Sequence, residues 1–433
     1  MPAKRRDRRK PASSTDPVQS DRAARAESSK PSKTHLPLTH LRVLFLFVLF
    51  LSSISLLVIY LYSSSSPVPP APVLSVYDRG LVRPDTSYRD ILAENGRVSE
   101  IRSYRHFLNP VLAYVTPWNS KGYDMAKLFN SKFTHISPVW YQLKSEGKKL
   151  ILQGQHDVDL GWISELRKGG NSLVVPRVLL EASPAEVLVK KKQLSNAIDL
   201  IIKECREIGF DGIVLESWSS WAAYGVLNDP ELRTMALNFI KQLGEAMHSV
   251  NSGPNPSQHL QLILVISPVR SEKLSGYDFG PGDLKQLADS VDGFSLMTYD
   301  FSGPQKPGPN APVEWIKYCL GVLLGDNGDE HAHMIFLGIN FYGNDFVIAE
   351  GLGGGPIIGR DFISILEKHK PALLWEERSS EHYFFYMHDN VKHAVFFPTL
   401  MSISVRLEEA RAWGTGLSIW EIGQGLDYFF DLL

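Results

Sequence analysis

The chain has 433 residues, 45 Lys and Arg against 47 Asp and Glu, and a net charge of −2. That balance excludes a broadly basic surface of the kind that binds nucleic acid. Two cysteines, Cys205 and Cys319, with no CxxC spacing, exclude a disulfide-built fold, and no metal-ligand or cofactor motif stands out, so neither metal nor cofactor is expected.

Residues 1–42 carry eleven Lys/Arg against four acids and few apolar residues, which predicts a disordered basic tail. Residues 43–62, VLFLFVLFLSSISLLVIYLY, are twenty in a row without a charge. As a helix they are long enough to cross roughly 30 Å of hydrocarbon. A cleaved signal peptide has a shorter apolar core of ~7–15 residues and a shorter basic region. The stretch therefore reads as a signal anchor, with the tail's +7 holding the N-terminus in the cytoplasm. The expected topology is single-pass type II, with the rest of the chain lumenal or extracellular in the secretory pathway. Residues 63–104 read as linker and lead-in, opening on the Ser/Pro run SSSSPVPPAP.

From 105 to 433, short apolar runs alternate with amphipathic ones. Strands are predicted at 111–118, 133–141, 173–181, 211–218, 260–267, 292–300, 334–343 and 414–423. Between them, 191–209 and 231–250 repeat apolar residues at three- and four-residue spacing, as helices covering a sheet do. No glycine-rich phosphate turn follows the first strand, which disfavours an open dinucleotide-binding sheet. The pattern predicts a (β/α)8 TIM barrel in the α/β class, with Cys205 and Cys319 on separate helices and unpaired. In such a barrel the C-terminal strand ends form the site. Here they carry Trp118, Trp140, Tyr141, Glu181, Glu216, Trp218, Tyr299, Asp300, Asn340, Tyr342, Trp420 and Glu421. Aromatic faces beside hydrogen-bonding groups suit sugar rings.

FDGIVLESW (210–218), MTYD (297–300), LGINFYGNDF (337–346) and GLSIWEIGQG (416–425), in this order, resemble glycoside hydrolase family 18, the chitinases and chitinase-like lectins. The C-terminal LEEARAWG and SIWEIGQGLDYFFDLL are closest to the chitinase domain-containing branch, the stabilin-interacting chitinase-like proteins. The resemblance implies a (β/α)8 barrel, and a small, reduced insertion between strands seven and eight within 347–413. It also implies an Asp-x-Asp-x-Glu set on the fourth strand, whose Glu is the general acid and whose preceding Asp orients the substrate acetamide. On this chain Asp211 matches the motif's opening, but Val214, Glu216 and Trp218 occupy the three functional positions. Chitinase chemistry is then expected to be lost, leaving no assigned catalytic residue. Trp118, Trp140, Tyr141, Glu216, Trp218, Tyr299, Asp300, Tyr342 and Trp420 are the expected carbohydrate-binding set, for a chito-oligosaccharide or another N-acetylglucosamine-containing glycan. Two alternatives stay open: a hydrolase using Glu216, Glu181 or Glu421, and a membrane-anchored scaffold whose barrel binds protein partners.

Overall fold

The computed structural model describes residues 38–64, 72–147, 149–251, 259–269, 274–325, 330–348 and 353–433. The chain divides into two units, 1–71 and 72–433. In the first, a single helix runs Leu38–Ser64, and its stretch Leu38–Tyr60 has a mean hydropathy of 2.7. At 1.5 Å per residue that stretch is about 34 Å long, enough to cross a membrane. The expected anchor at 43–62 lies inside this helix. The tail up to residue 37 and the Ser/Pro linker at 65–71 lie outside the described residues.

The second unit is built on a curled, mostly parallel sheet. Its strands are β1 (Val111–Val115), β2 (His135–Pro138), β3 (Tyr141–Glu146), β4 (Lys149–Gln153), β5 (Leu173–Val174), β6 (Arg177–Leu180), β7 (Gly212–Glu216), β8 (Gln261–Ile266), β9 (Gly293–Leu296) and β10 (Ile335–Asn340). A smaller sheet follows: β11 (Gly343–Val347), β12 (Gly353–Ile357), β13 (Leu374–Glu376), β14 (Glu381–His388) and β15 (Val391–Phe396). Then β16 (Gly416–Trp420) returns to the large sheet between β10 and β1. The large sheet runs β4-β3-β6-β7-β8-β9-β10-β16-β1-β2-β5, parallel throughout except for the β3–β4 hairpin. Pro176 separates β5 from β6, and both flank β7: Asp211 N–H donates to the Val174 carbonyl and Val214 N–H to the Pro176 carbonyl.

Strand periodicity sorts the side chains into two cores. Val111, Ala113, Ile213, Leu215, Leu262, Leu264, Leu337 and Ile339 pack in the larger cluster, shared with the surrounding helices. Their alternates Leu112, Tyr114, Val214, Ile263, Val265 and Phe336 form a separate cluster. Successive side chains of a strand point to opposite faces, so the second cluster fills the inside of the curl. The result is an α/β barrel-like fold.

The helices obey the sequence's spacing. Lys191–Ile208 buries Leu194, Ala197, Ile198, Ile201 and Cys205 and ends at Gly209 in the left-handed region, φ 80°. Pro230–His248 starts on an Asp229 cap with Pro at its first turn, where the ring costs no hydrogen bond. Cys205 and Cys319 are both buried, and no disulfide joins them.

Two expectations change in detail. The lead-in from residue 72 onward packs as part of the domain, with Val76, Ile91 and Phe107 buried and Asp431 accepting from the Ser99 N–H. The inserted sheet, ordered β12-β11-β15-β14-β13, begins at Gly343, a little before the expected 347. Gly343 can pair there because a Cβ would lie 2.3 Å from the Phe396 carbonyl oxygen.

Arg406, on the helix Leu400–Trp413, locks this insertion to the large sheet. Its guanidinium is 3 % exposed and donates to the carbonyls of Ser379, Ser380 and Ala311 and to Glu381 Oε1. Glu381 in turn accepts from the N–H groups of Asn310 (2.9 Å) and Ala311 (2.6 Å). Arg406→Met leaves that carboxylate buried without its cation and should destabilise the domain by about 3–5 kcal/mol. A guanidinium melt followed by tryptophan fluorescence measures it, and a loss below about 1 kcal/mol would contradict the role assigned to Arg406.

Candidate functional site

The C-terminal ends of the strands carry a connected polar and aromatic group. Trp420 closes β16, opposite Asn340 of β10, and stays partly exposed. The Tyr114 ring lies 5.2 Å from its ring, and the Arg177 guanidinium carbon 5.9 Å from its centroid. Arg177 Nε donates to Glu216 Oε2 at 2.6 Å, an ion pair with side chains 12 % and 18 % exposed. Tyr114 and Ser295 share a hydrogen bond of 2.9 Å inside the curl.

Tyr299 and Tyr342 stand with ring centroids 6.4 Å apart, and the Tyr342 hydroxyl donates to Asp300 Oδ1. Burial pushes both tyrosine hydroxyls well above their usual range, so both remain protonated hydrogen-bonding groups at any physiological pH. Asp300 sits at φ 58°, a left-handed conformation tolerated best by Gly, Asn and Asp. Asn310 holds it there, its Oδ1 accepting the Asp300 N–H at 2.7 Å. Trp420, Tyr342, Asp300, Asn344 and Gln424 line a cavity of about 460 Å³. Asn344 Nδ2 is buried at that wall with no protein partner.

The structure separates the other expected residues from this cavity. Strand β7 ends at Glu216, and Ser217 turns the chain into a short helix, Trp218–Ala223. Trp218 therefore does not continue the strand's alternation into the curl. It is 0 % exposed, donates from Nε1 to the Tyr277 carbonyl at 3.1 Å, and packs edge-on to Phe279 with Arg233 over its ring. Trp140 and Tyr141 are also core residues, satisfied by the Tyr123 hydroxyl and by Glu204 respectively. These three offer no free face to a sugar, which corrects their placement among the binding residues. Trp118 is 69 % exposed and is not part of the cavity wall. Val214 is buried in the inner cluster, and Asp211 accepts the Val174 N–H at 2.8 Å at the opposite end of β7. Glu181, half-exposed, pairs with Lys144 at 3.1 Å.

Arg177, Tyr114, Asn344 and Gln424 belong to the group and were not singled out from the sequence. Arg177 left a signal: a lone cation inside the strand LVVPRVLLE, at a position that alternation turns inward.

The profile of the glycosyl hydrolases family 18 matches residues 183–425, more than half of the chain. The chain belongs to this family. Among solved structures, a chitinase from Chromobacterium violaceum aligns with a TM-score of 0.60 at 21 % identity, covering 75 % of this chain and 98 % of that one. A class V chitinase from Pseudomonas fluorescens Pf-5 gives 0.60 at 22 %, with coverages of 75 % and 98 %. YKL-39, solved in the presence of chitooligosaccharides, gives 0.58 at 15 %, again with coverages of 75 % and 98 %. At these identities the likeness establishes the fold.

Glu421, just past the end of β16, is a carboxyl whose acidity is strongly altered. It is 0 % exposed, receives hydrogen bonds from Asn119 Nδ2 and the Gly423 N–H, and is pushed up to about 7 by burial. It lies off the cavity wall, against Gly122, so this family 18 fold does not present it to a ligand. A carboxyl raised in the folded state stabilises the protein while both states are protonated, and that stability is lost as pH rises. The window runs from the unfolded value near 4.5 up to about 7. The unsubstituted protein should lose on the order of 3 kcal/mol across it from this group. Glu421→Gln should flatten that part of the curve, which melts at pH 5 and pH 7.5 would show; identical slopes would remove the assignment.

Proposed function

We propose that this chain is a membrane-anchored, chitinase-like carbohydrate-binding protein without conventional chitinase activity. The observation that carries the reading is the state of the fourth parallel strand beside an intact sugar-sized cavity. The general-acid position has left the strand and become a buried core tryptophan, Trp218. The inner position before it is Glu216, engaged by Arg177, and the one before that is Val214 in an apolar cluster. A general acid must reach the glycosidic oxygen within about 3 Å with a proton to give, and Glu216 is committed to an ion pair two residues deeper in the strand.

What remains is suited to holding a sugar. Trp420 offers an indole face, and Tyr342, Asp300, Asn344 and Gln424 offer donors and acceptors around about 460 Å³. A cavity of this size, lined by an indole and by polar side chains, fits one to a few pyranose rings. YKL-39, which shares the fold, was solved with chitooligosaccharides, and that supports N-acetylglucosamine oligomers as the first ligands to try. We read the curled sheet as a (β/α)8 barrel, with β5 and β6 together as its third stave. We also read the Leu38–Ser64 helix as a type II signal anchor, and the chain as a member of the stabilin-interacting branch. The open cavity beside Trp420 favours a lectin over a scaffold, since Trp218 is turned away from the mouth rather than filling it.

Full-length protein in detergent should bind chito-oligosaccharides saturably, and Trp420→Ala should weaken binding at least tenfold, about 1.4 kcal/mol. Hydrolysis of a fluorogenic chito-oligosaccharide should stay at the buffer rate. Unchanged affinity in Trp420→Ala refutes the binding site; turnover that disappears in Glu216→Gln establishes the hydrolase reading instead.

A further inference from the structure

At the other end of the sheet from the cavity, three side chains from separate parts of the sequence converge. His248 ends the helix Pro230–His248, Asp292 directly precedes β9, and His259 precedes β8. An isolated antiparallel bridge between Asn251 and His259, with Leu260 N–H donating to the Val250 carbonyl, brings His259 back beside His248. The two imidazole rings lie 4.3 Å apart. Each directs Nε2 at Asp292: His248 at 3.1 Å from Oδ2 and His259 at 2.8 Å from Oδ1. The Leu262 N–H donates to Asp292 Oδ2 at 2.7 Å, which fixes the carboxylate's orientation from behind.

We propose that His248, His259 and Asp292 form a site for a divalent transition metal ion, with Zn²⁺ the best match. Three features support it. The donor set of two imidazoles and a carboxylate suits zinc, whose bonds to nitrogen and oxygen of about 2.0–2.2 Å put neighbouring ligand atoms roughly 3.3 Å apart. One ligand atom from each residue already lies within 4.8 Å of the others, and His248 Nε2 and His259 Nε2 stand 3.1 Å from Asp292 Oδ2 and 2.8 Å from Oδ1 respectively. An entering ion replaces the two Nε2···O hydrogen bonds with three coordinate bonds, to both Nε2 atoms and one carboxylate oxygen, and each imidazole then carries its proton on Nδ1.

The second feature is charge. Among the described residues, Asp292 forms ion-pair contacts with these two histidines alone, with no Lys or Arg alongside. An uncharged imidazole can hydrogen-bond a carboxylate but does not cancel its charge, whereas a divalent cation coordinates it and cancels that charge. The third is access. The side chains are 26 %, 38 % and 18 % exposed, so the cluster is held by its surroundings yet open to solvent. A water completes the fourth, tetrahedral position from that side.

Such an ion ties the end of one helix to the starts of two neighbouring strands. It sits at the N-terminal end of β9, whereas Tyr299 and Asp300 follow that strand's C-terminal end. The site is therefore structural and independent of sugar binding. The leucine N–H on Asp292 acts as the outer contact that orients a metal-binding carboxylate.

The test uses untagged full-length protein in detergent, stripped with a chelator and titrated with Co²⁺. One Co²⁺ per chain should bind and give the visible absorption of a tetrahedral ion, and Zn²⁺ should displace it. His248→Ala and His259→Ala should each weaken binding by at least about tenfold, the lower end of what even an outer partner contributes. The milder Asp292→Asn, which keeps the acceptor for Leu262 and removes the charge, should weaken it likewise. Absence of the tetrahedral band in the unsubstituted chain overturns the proposal whatever the variants do. Binding indifferent to all three substitutions overturns it as well, by placing the ion elsewhere.

Discussion

The site depends on a buried cation that never touches it. Arg406 gathers three carbonyls and the Glu381 carboxylate, and Glu381 clamps the N–H groups of Asn310 and Ala311. Asn310 then uses its side chain to hold the Asp300 N–H, and Asp300 takes the Tyr342 hydroxyl at the cavity wall. Three links run from the helix Leu400–Trp413 to the left-handed Asp300, and a fourth reaches Tyr342. In a low-dielectric interior each group of such a chain is costly if left alone and strong when matched, so the chain sets one geometry rather than several. The inserted sheet supplies Glu381, which gives that insertion a structural reason to exist in this molecule beyond forming a wall.

The aromatic side of the cavity is positioned differently, by packing. Trp420 ends a strand paired on both sides, with the Tyr114 ring 5.2 Å and the Arg177 guanidinium carbon 5.9 Å from its own. Arg177 serves two ends at once: it neutralises Glu216 and lies over the indole. A planar guanidinium can do both because its edge donates hydrogen bonds while its face stacks. The inside of the curl is thus closed by an ion pair above an apolar plug of Val214, Leu112, Ile263 and Val265.

Much of this was legible in the sequence because periodicity is a direct consequence of strand geometry. The eight predicted strand runs each contain a strand of the large sheet, and the helices at 191–209 and 231–250 match Lys191–Ile208 and Pro230–His248 within a few residues. The site was less legible. Extending alternation past Glu216 put Trp218 inside the curl, but alternation holds only while the backbone stays extended, and Ser217 at ψ −31° ends it. Trp140 and Tyr141 look like ligand-facing aromatics by type and place; only their partners Tyr123 and Glu204 show that they are core. Arg177, Asn344 and the Asp292 cluster depend on contacts between residues far apart in sequence, which no local pattern encodes.

The residues that stand on the fourth strand and the integrity of the fold are connected. Carboxylates placed side by side inside a curled sheet repel one another and resist desolvation, a cost that a working hydrolase tolerates for its chemistry. In this chain each of those positions is settled in a way that lowers that cost. Val214 fills apolar space, Glu216 has a cation 2.6 Å away, and Trp218 buries a large ring with its N–H satisfied. Glu216 and Trp218 both have hydrogen-bond partners, and Val214 packs in an apolar cluster. The fourth strand is thus settled by packing and pairing, beside a cavity that keeps Trp420, Tyr342 and Asp300 at its wall.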